Sequence, residues 1–189
     1  MRWRGGAVPL LALATVLAAA LAAARVAMAA RTAAAPPVRS VAAVDLARYS
    51  GRWYEIASFP MFFERHCVAD VTADYEPAAD GNLTVRNRCR TASGHDAASG
   101  RARVVPGHGN SRLEVSFFWP FEADYWILGL DPAYRWAVVG DPNRKYLWIL
   151  ARTPQLPAAQ QEAALAVARA QGYDLTRLHM TPQTAAQPH

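Results

Sequence analysis

Between Arg52 and Arg152 apolar residues recur at every second position, in short runs separated by turn residues. That period belongs to strands with one face buried and the other in solvent. In residues 67–75, Cys67, Ala69, Val71, Ala73 and Tyr75 alternate with Asp70, Thr72 and Asp74. In residues 83–89, Leu83, Val85 and Cys89 alternate with Thr84, Arg86 and Arg88, and Asn87 interrupts the apolar side. Leu113, Val115, Phe117 and Trp119 alternate with Glu114, Ser116 and Phe118. Further strands fit residues 52–59, 100–105, 125–130, 135–139 and 145–152. The intervals carry turn chemistry: Asp80-Gly81, Gly94, Gly107-His108-Gly109-Asn110, Asp131-Pro132 and Asp141-Pro142-Asn143. Eight short strands at this spacing predict an all-β protein, either an up-and-down barrel or a sandwich.

One helix follows. Pro157 suits its start and Gly172 the residue after its end. Its apolar stripe, Ala158, Leu165 and Ala168, is narrow and interrupted by Gln161, so it predicts packing against a barrel's outside through small residues. The residues beyond His179 read as a disordered tail, 184–189 in its outermost part. At the other end, Met1-Arg2-Trp3-Arg4, an uncharged Ala/Leu/Val run and Ala27-Met28-Ala29 have the layout of a signal peptide over residues 1–30, cut near Ala30. Residues 31–43 offer little to pack and read as a flexible leader, which leaves one domain over 44–183.

Composition narrows the function. The formal charge of +5 is partly carried by the first residues, and no Lys/Arg cluster calls for nucleic acid. No Ser/His/Asp arrangement or phosphate loop is visible, and the five histidines are scattered. Neither metal nor cofactor is expected. The only cysteines, Cys67 and Cys89, share a face of two strands joined by the Asp80-Gly81 turn. A hairpin centred near Ala78 sets them nearly opposite, and an exported chain favours a disulfide over two buried thiols.

Three segments resemble the lipocalin signatures. Gly51-Arg52-Trp53-Tyr54-Glu55-Ile56-Ala57 resembles the Gly-x-Trp motif of the first strand. Asp131-Pro132-Ala133-Tyr134 resembles the motif between the sixth and seventh strands, and Arg152, closing Tyr146-Leu147-Trp148-Ile149-Leu150-Ala151-Arg152, the third. Tyr146-Leu147-Trp148-Ile149-Leu150 and Gly172-Tyr173-Asp174 resemble the bacterial outer-membrane lipocalins, relatives of plant temperature-induced lipocalins and apolipoprotein D. The resemblance spans 44–183. It implies an eight-stranded up-and-down antiparallel β-barrel, a calyx with one C-terminal helix outside, that binds a small apolar ligand. Fatty acids or lysophospholipids, in envelope lipid maintenance or stress, are the expected cargo. Many bacterial members carry a lipid on a cysteine after the signal. No cysteine lies there, so a periplasmic or secreted location is expected, with outer-membrane association left open.

Strand parity then assigns roles. Trp53 and Arg152 point inward at the closed end, where a guanidinium on an indole face makes a plug; with Gly51, Asp131 and Tyr134 they are expected to be structural. Ala57, Phe117, Tyr125 and Trp148 are expected to line the ligand site, with the Tyr125 hydroxyl as the handle for a polar head. The alternative for each is plain barrel core. Glu55 shares the inward side and needs a partner. Phe62-Phe63 falls in the loop after the first strand, as a gate, a membrane contact or a local plug. Two other functions remain open: a haem or tetrapyrrole carrier, which needs an inward histidine or tyrosine, and a lipid-modifying enzyme using a free calyx cysteine, which a disulfide would remove. The oligomeric state is not legible.

Overall fold

The computed structural model describes residues 36–184. The expected signal peptide, leader residues 31–35 and tail residues 185–189 lie outside them. Eight strands run in chain order: β1 (Gly51–Ser58), β2 (Cys67–Pro77), β3 (Leu83–Thr91), β4 (Gly94–Val104), β5 (Arg112–Phe118), β6 (Phe121–Leu130), β7 (Trp136–Gly140) and β8 (Leu147–Ala151). Each pairs antiparallel with the next, and β8 returns to β1, so the sheet closes into the expected up-and-down barrel. Closure removes the open edges that an isolated sheet would expose. A two-residue strand, β9 (His179–Met180), joins β1 at Ala57 and Ser58, beyond the point where β1 parts from β2.

Alternation along the strands produces two apolar layers. Inside the barrel lie Trp53, Tyr75, Leu83, Val85, Leu113, Ile127, Val139 and Leu150. Outside it Ile56, Leu128, Val138, Ile149 and Tyr173 pack with α2 (Ala158–Ala170). The helix lies on the barrel through small residues, as expected, but its face is rotated: Ala164 and Ala168 are buried, one turn apart, while Ala158 is exposed. Its approach is close. A Cβ on Gly129 of β6 would come within 2.8 Å of Val167.

Ala57 belongs to this outer layer, which corrects its expected place in the ligand site. Glu55 pairs with Leu150 but Ala57 with the adjacent Ile149, so Ile56 is an extra residue in β1. A bulge of this kind breaks the two-residue alternation. Trp53 and Glu55 stay inward, whereas Ile56 and Ala57 both turn toward the helix layer.

The chain ends of the domain are held more firmly than their composition suggests. In the expected leader, Val38 is buried, Val41 N–H donates to Ile127 O at 2.8 Å, and Arg39 exchanges two hydrogen bonds with the Gln171 side chain. A short helix, α1 (Leu46–Tyr49), follows; the Asp45 carboxylate accepts from the Ala47 and Arg48 N–H groups at its N-cap. Past His179, Thr181 N–H donates to Ile56 O, and Gln183 Nε2 donates to both Glu55 O and Val71 O. This segment bridges the gap where β1 and β2 diverge.

Candidate functional site

One end of the barrel is shut by α1 and the β1 start. Trp53 is fully buried, its indole N–H donates to Tyr49 O at 2.8 Å, and the Arg152 guanidinium lies 3.8 Å above its ring. Arg152 also donates to the carbonyls of Arg48, Tyr49 and Arg52, which ties β8, α1 and β1 together. Gly51 turns the chain at φ 91° directly under that guanidinium, a conformation that favours glycine. On the neighbouring loop Asp131 is buried. It accepts from Nε and Nη2 of the Arg135 guanidinium and from the Ala133 and Arg135 N–H groups, and these hold its carboxyl down at about 2. Tyr134 receives the Asp45 N–H on its hydroxyl and Arg48 on its ring.

Above this plug is a cavity of about 620 Å³, open at the other end. Phe117, Tyr125 and Trp148 line it; Ala57 does not. An unbroken file of aromatic rings runs down its wall and on into the plug. From mouth to base these are Phe62, Phe63, Tyr146, Trp148, Tyr125, Tyr75, Tyr49 and Trp53, with successive centroids 5.0–6.4 Å apart. The Tyr125 hydroxyl is not free to hold a head group. It is bonded to Tyr49 at 2.8 Å and Tyr75 at 2.9 Å, deep in the barrel, and burial raises the pKa of all three phenols.

Of the five acidic residues on the lining, Asp96, Glu122 and Asp124 are exposed, whereas Glu55 and Glu64 are withdrawn from solvent. Glu55 is buried and finds the partner it needs in two hydroxyls, accepting at Oε1 from Ser58 and Thr181. Burial raises its pKa. Glu64, in the loop between β1 and β2, has no hydrogen bond or ion pair to its side chain among the described residues. Burial, and then the charge of Glu55, push it up to about 8. Sequence reasoning missed Glu64 because nothing in a loop's pattern says which way a side chain turns. Asn87, visible as a break in the apolar face of β3, lines the same cavity with its Oδ1 buried and unpartnered.

Cys67 and Cys89 form a disulfide at the mouth, with Cα atoms 5.6 Å apart. They are not opposite in register: Cys67 pairs with Thr91, and two shifts in β2 around Ala69 carry the sulfurs together. No free cysteine remains, so the cysteine chemistry weighed from the sequence has no thiolate. The neighbouring His66 completes a cluster of metal-ligand types, but its sulfurs are bonded to each other and its Nε2 meets Asp96 at 2.8 Å. Around the opening the chain exposes Trp119 (92%), Phe118 and Phe121 (76% each), Phe62 (72%) and Phe63 (42%).

The model of the lipocalin-like domain family matches residues 44–183. The chain belongs to the lipocalin family. This lipocalin is 36% identical to temperature-induced lipocalin-1 of Arabidopsis thaliana over 156 residues, covering 78% of this chain and 84% of that one. It is 40% identical to the outer membrane lipoprotein Blc of Escherichia coli (strain K12), covering 75% and 82%. With apolipoprotein D of Macaca fascicularis it shares 32% identity over 78% and 80%. Among solved structures, insecticyanin from Manduca sexta superposes with a TM-score of 0.67 at 19% identity over 81% of this chain and 88% of that one. That likeness shows the shared fold. The sequence relatives place this lipocalin with the Blc-like bacterial subgroup.

Proposed function

We propose that this lipocalin is a carrier, not an enzyme, that holds one long-chain amphiphile such as a fatty acid or lysophospholipid and exchanges it with membranes of the cell envelope. The observation that carries the reading is the cavity: about 620 Å³, within the usual size of a small-molecule site, with an apolar and aromatic wall. Each methylene buried there contributes about 0.8 kcal/mol, so a long chain supplies most of the affinity. The name of the Escherichia coli relative, an outer membrane lipoprotein, supports an envelope setting, with the periplasm and a role in lipid maintenance or stress as the corresponding expectation. The disulfide argues against the cysteine-enzyme alternative, and the Asp96 contact on His66 against an axial haem ligand there.

Displacement of a fluorescent acyl probe from the mature domain tests the reading. Micromolar or tighter displacement by a saturated twelve- to sixteen-carbon amphiphile is expected, with a change in tryptophan emission because Trp148 lines the cavity. No displacement and no emission change with either fatty acid or lysophospholipid would refute it. An absorption band in the visible on protein isolated from its native host would favour the tetrapyrrole alternative instead.

A further inference from the structure

The polar groups of the cavity are unequally provided. Glu55 and Asn87 bring acceptor oxygens to it from β1 and β3, the two strands that flank β2, and Glu64 brings its own from the β1–β2 loop. Glu55 Oε1 is satisfied by two hydroxyls, whereas its Oε2, the Glu64 carboxyl and Asn87 Oδ1 receive no hydrogen bond among the described residues. The basic side chains on the lining are engaged elsewhere: Arg88 with Asp74, and His66 with Asp96. The Tyr75 and Tyr125 hydroxyls are bonded to one another and to Tyr49. An apolar chamber with unmet acceptors on one side is complementary to a ligand that brings donors.

We propose that the calyx selects long-chain amphiphiles with an ammonium head and disfavours those ending in a carboxylate. An ammonium carries three donors and no acceptor, matching in kind the acceptor groups of Glu55, Glu64 and Asn87. Its positive charge favours the ionised form of these carboxyls and is attracted to the faces of the Tyr146 and Trp148 rings on the same cavity wall. A carboxylate would add a third acidic group beside two that already disfavour each other's ionisation, a like-charge conflict that must be relieved by protonation. The shared chemistry is the ammonium, whether borne directly on the chain or beyond the phosphate of a lysophospholipid. The inference rests on the carrier reading and adds the head group to it.

Calorimetric titration of the mature protein with dodecylamine, dodecanol and dodecanoate, below their aggregation limits at neutral pH, holds the chain constant and varies the head. Dodecylamine is expected to bind about tenfold or more tighter than dodecanoate, the discrimination that a charge-assisted hydrogen bond provides, with dodecanol between them. In Glu55→Gln/Glu64→Gln the amine and carboxylate should come within about threefold of each other while dodecanol binding persists. Glu64→Gln alone, in the loop, should narrow the ratio and serves if the double variant does not fold. Dodecanoate binding as tightly as dodecylamine, or a ratio unchanged by the variants, overturns the proposal while leaving the carrier reading intact. Failure of all three, dodecanol included, overturns both. Lauroyl-lysophosphatidylethanolamine separates the two ligand sources: amine-like affinity assigns phospholipid heads, and carboxylate-like affinity assigns amines carried on the chain itself.

Discussion

Trp53 has its face covered by Arg152 and its N–H held by Tyr49, so truncation leaves a large void and unpartnered groups at the closed end. Trp53→Ala should lower unfolding free energy by about 3–5 kcal/mol in urea titration, with probe affinity per folded molecule unchanged. Wild-type stability with binding lost would move Trp53 into the ligand site. Asp131 and Glu64 make opposite predictions about pH. The Asp131 carboxyl is held at about 2 by Arg135, below its ordinary 3.8. Its contribution is therefore complete above that ordinary value and is lost as pH falls through about 2. Asp131→Asn should flatten the acid limb of a stability–pH profile over that window. Glu64 is raised from 4.5 to about 8, so the folded state holds its proton more tightly. The stability this gives is complete below 4.5 and lost as pH rises through about 8. Glu64→Gln should therefore flatten the stability–pH profile between those values. An unaltered slope would mean that the Glu64 carboxyl is solvated.

At the level of strands and helices, alternation was readable wherever one face is buried and the other wet, which covers most of the barrel. It failed where that condition fails. Residues 94–99 of β4 are exposed on both sides near the mouth and carry no apolar pattern, so the strand seemed to begin at Gly100. The bulge at Ile56 leaves no mark in composition, and it alone moved Ala57 from the cavity to the helix layer. Tyr49 and Val38 were hidden in a segment without periodicity that is held by hydrogen bonds to the barrel. The cavity lining was half legible for the same reason: strand parity found Phe117 and Trp148, while the loop residue Glu64 had no parity to follow. The shifts in β2 matter for the disulfide, since they bring Cys67 to Cys89 without direct pairing. Thiol counting on denatured, unreduced protein should find none free. Cys67→Ser/Cys89→Ser should cost roughly 3 kcal/mol in the loop-entropy account. An equally stable variant would show that the shifted strand holds its place unaided. On the opposite side, Gly129→Val would drive a side chain into Val167, and overpacking of this kind costs typically about 1–3 kcal/mol, measurable as a lowered melting temperature.

For the whole molecule, the closed and open ends have opposite surface chemistry. The closed end buries its aromatics under α1 and Arg152, whereas the open end displays Phe62, Phe118, Trp119 and Phe121 to solvent. Scattered apolar residues on a surface need no explanation, but a ring of them around the entrance of an apolar cavity does. The rim and the inner wall are continuous, because Phe62, Phe63, Phe118 and Phe121 belong to the cavity lining while also facing outward. Tryptophan and phenylalanine at loop tips partition readily into the interfacial zone of a bilayer. A barrel seated there mouth-down would let a chain slide from lipid to cavity without crossing water, which is the slow step for a long-chain ligand. Trp119→Ser should therefore sediment less with sucrose-loaded phosphatidylcholine vesicles and transfer a fluorescent lipid between vesicles more slowly. The affinity for soluble dodecanol should be unchanged, since Trp119 does not line the cavity. Transfer at the wild-type rate with vesicle binding intact would show that the rim is not the docking surface. Loss of dodecanol affinity together with transfer would instead make the β5–β6 hairpin part of the binding site itself.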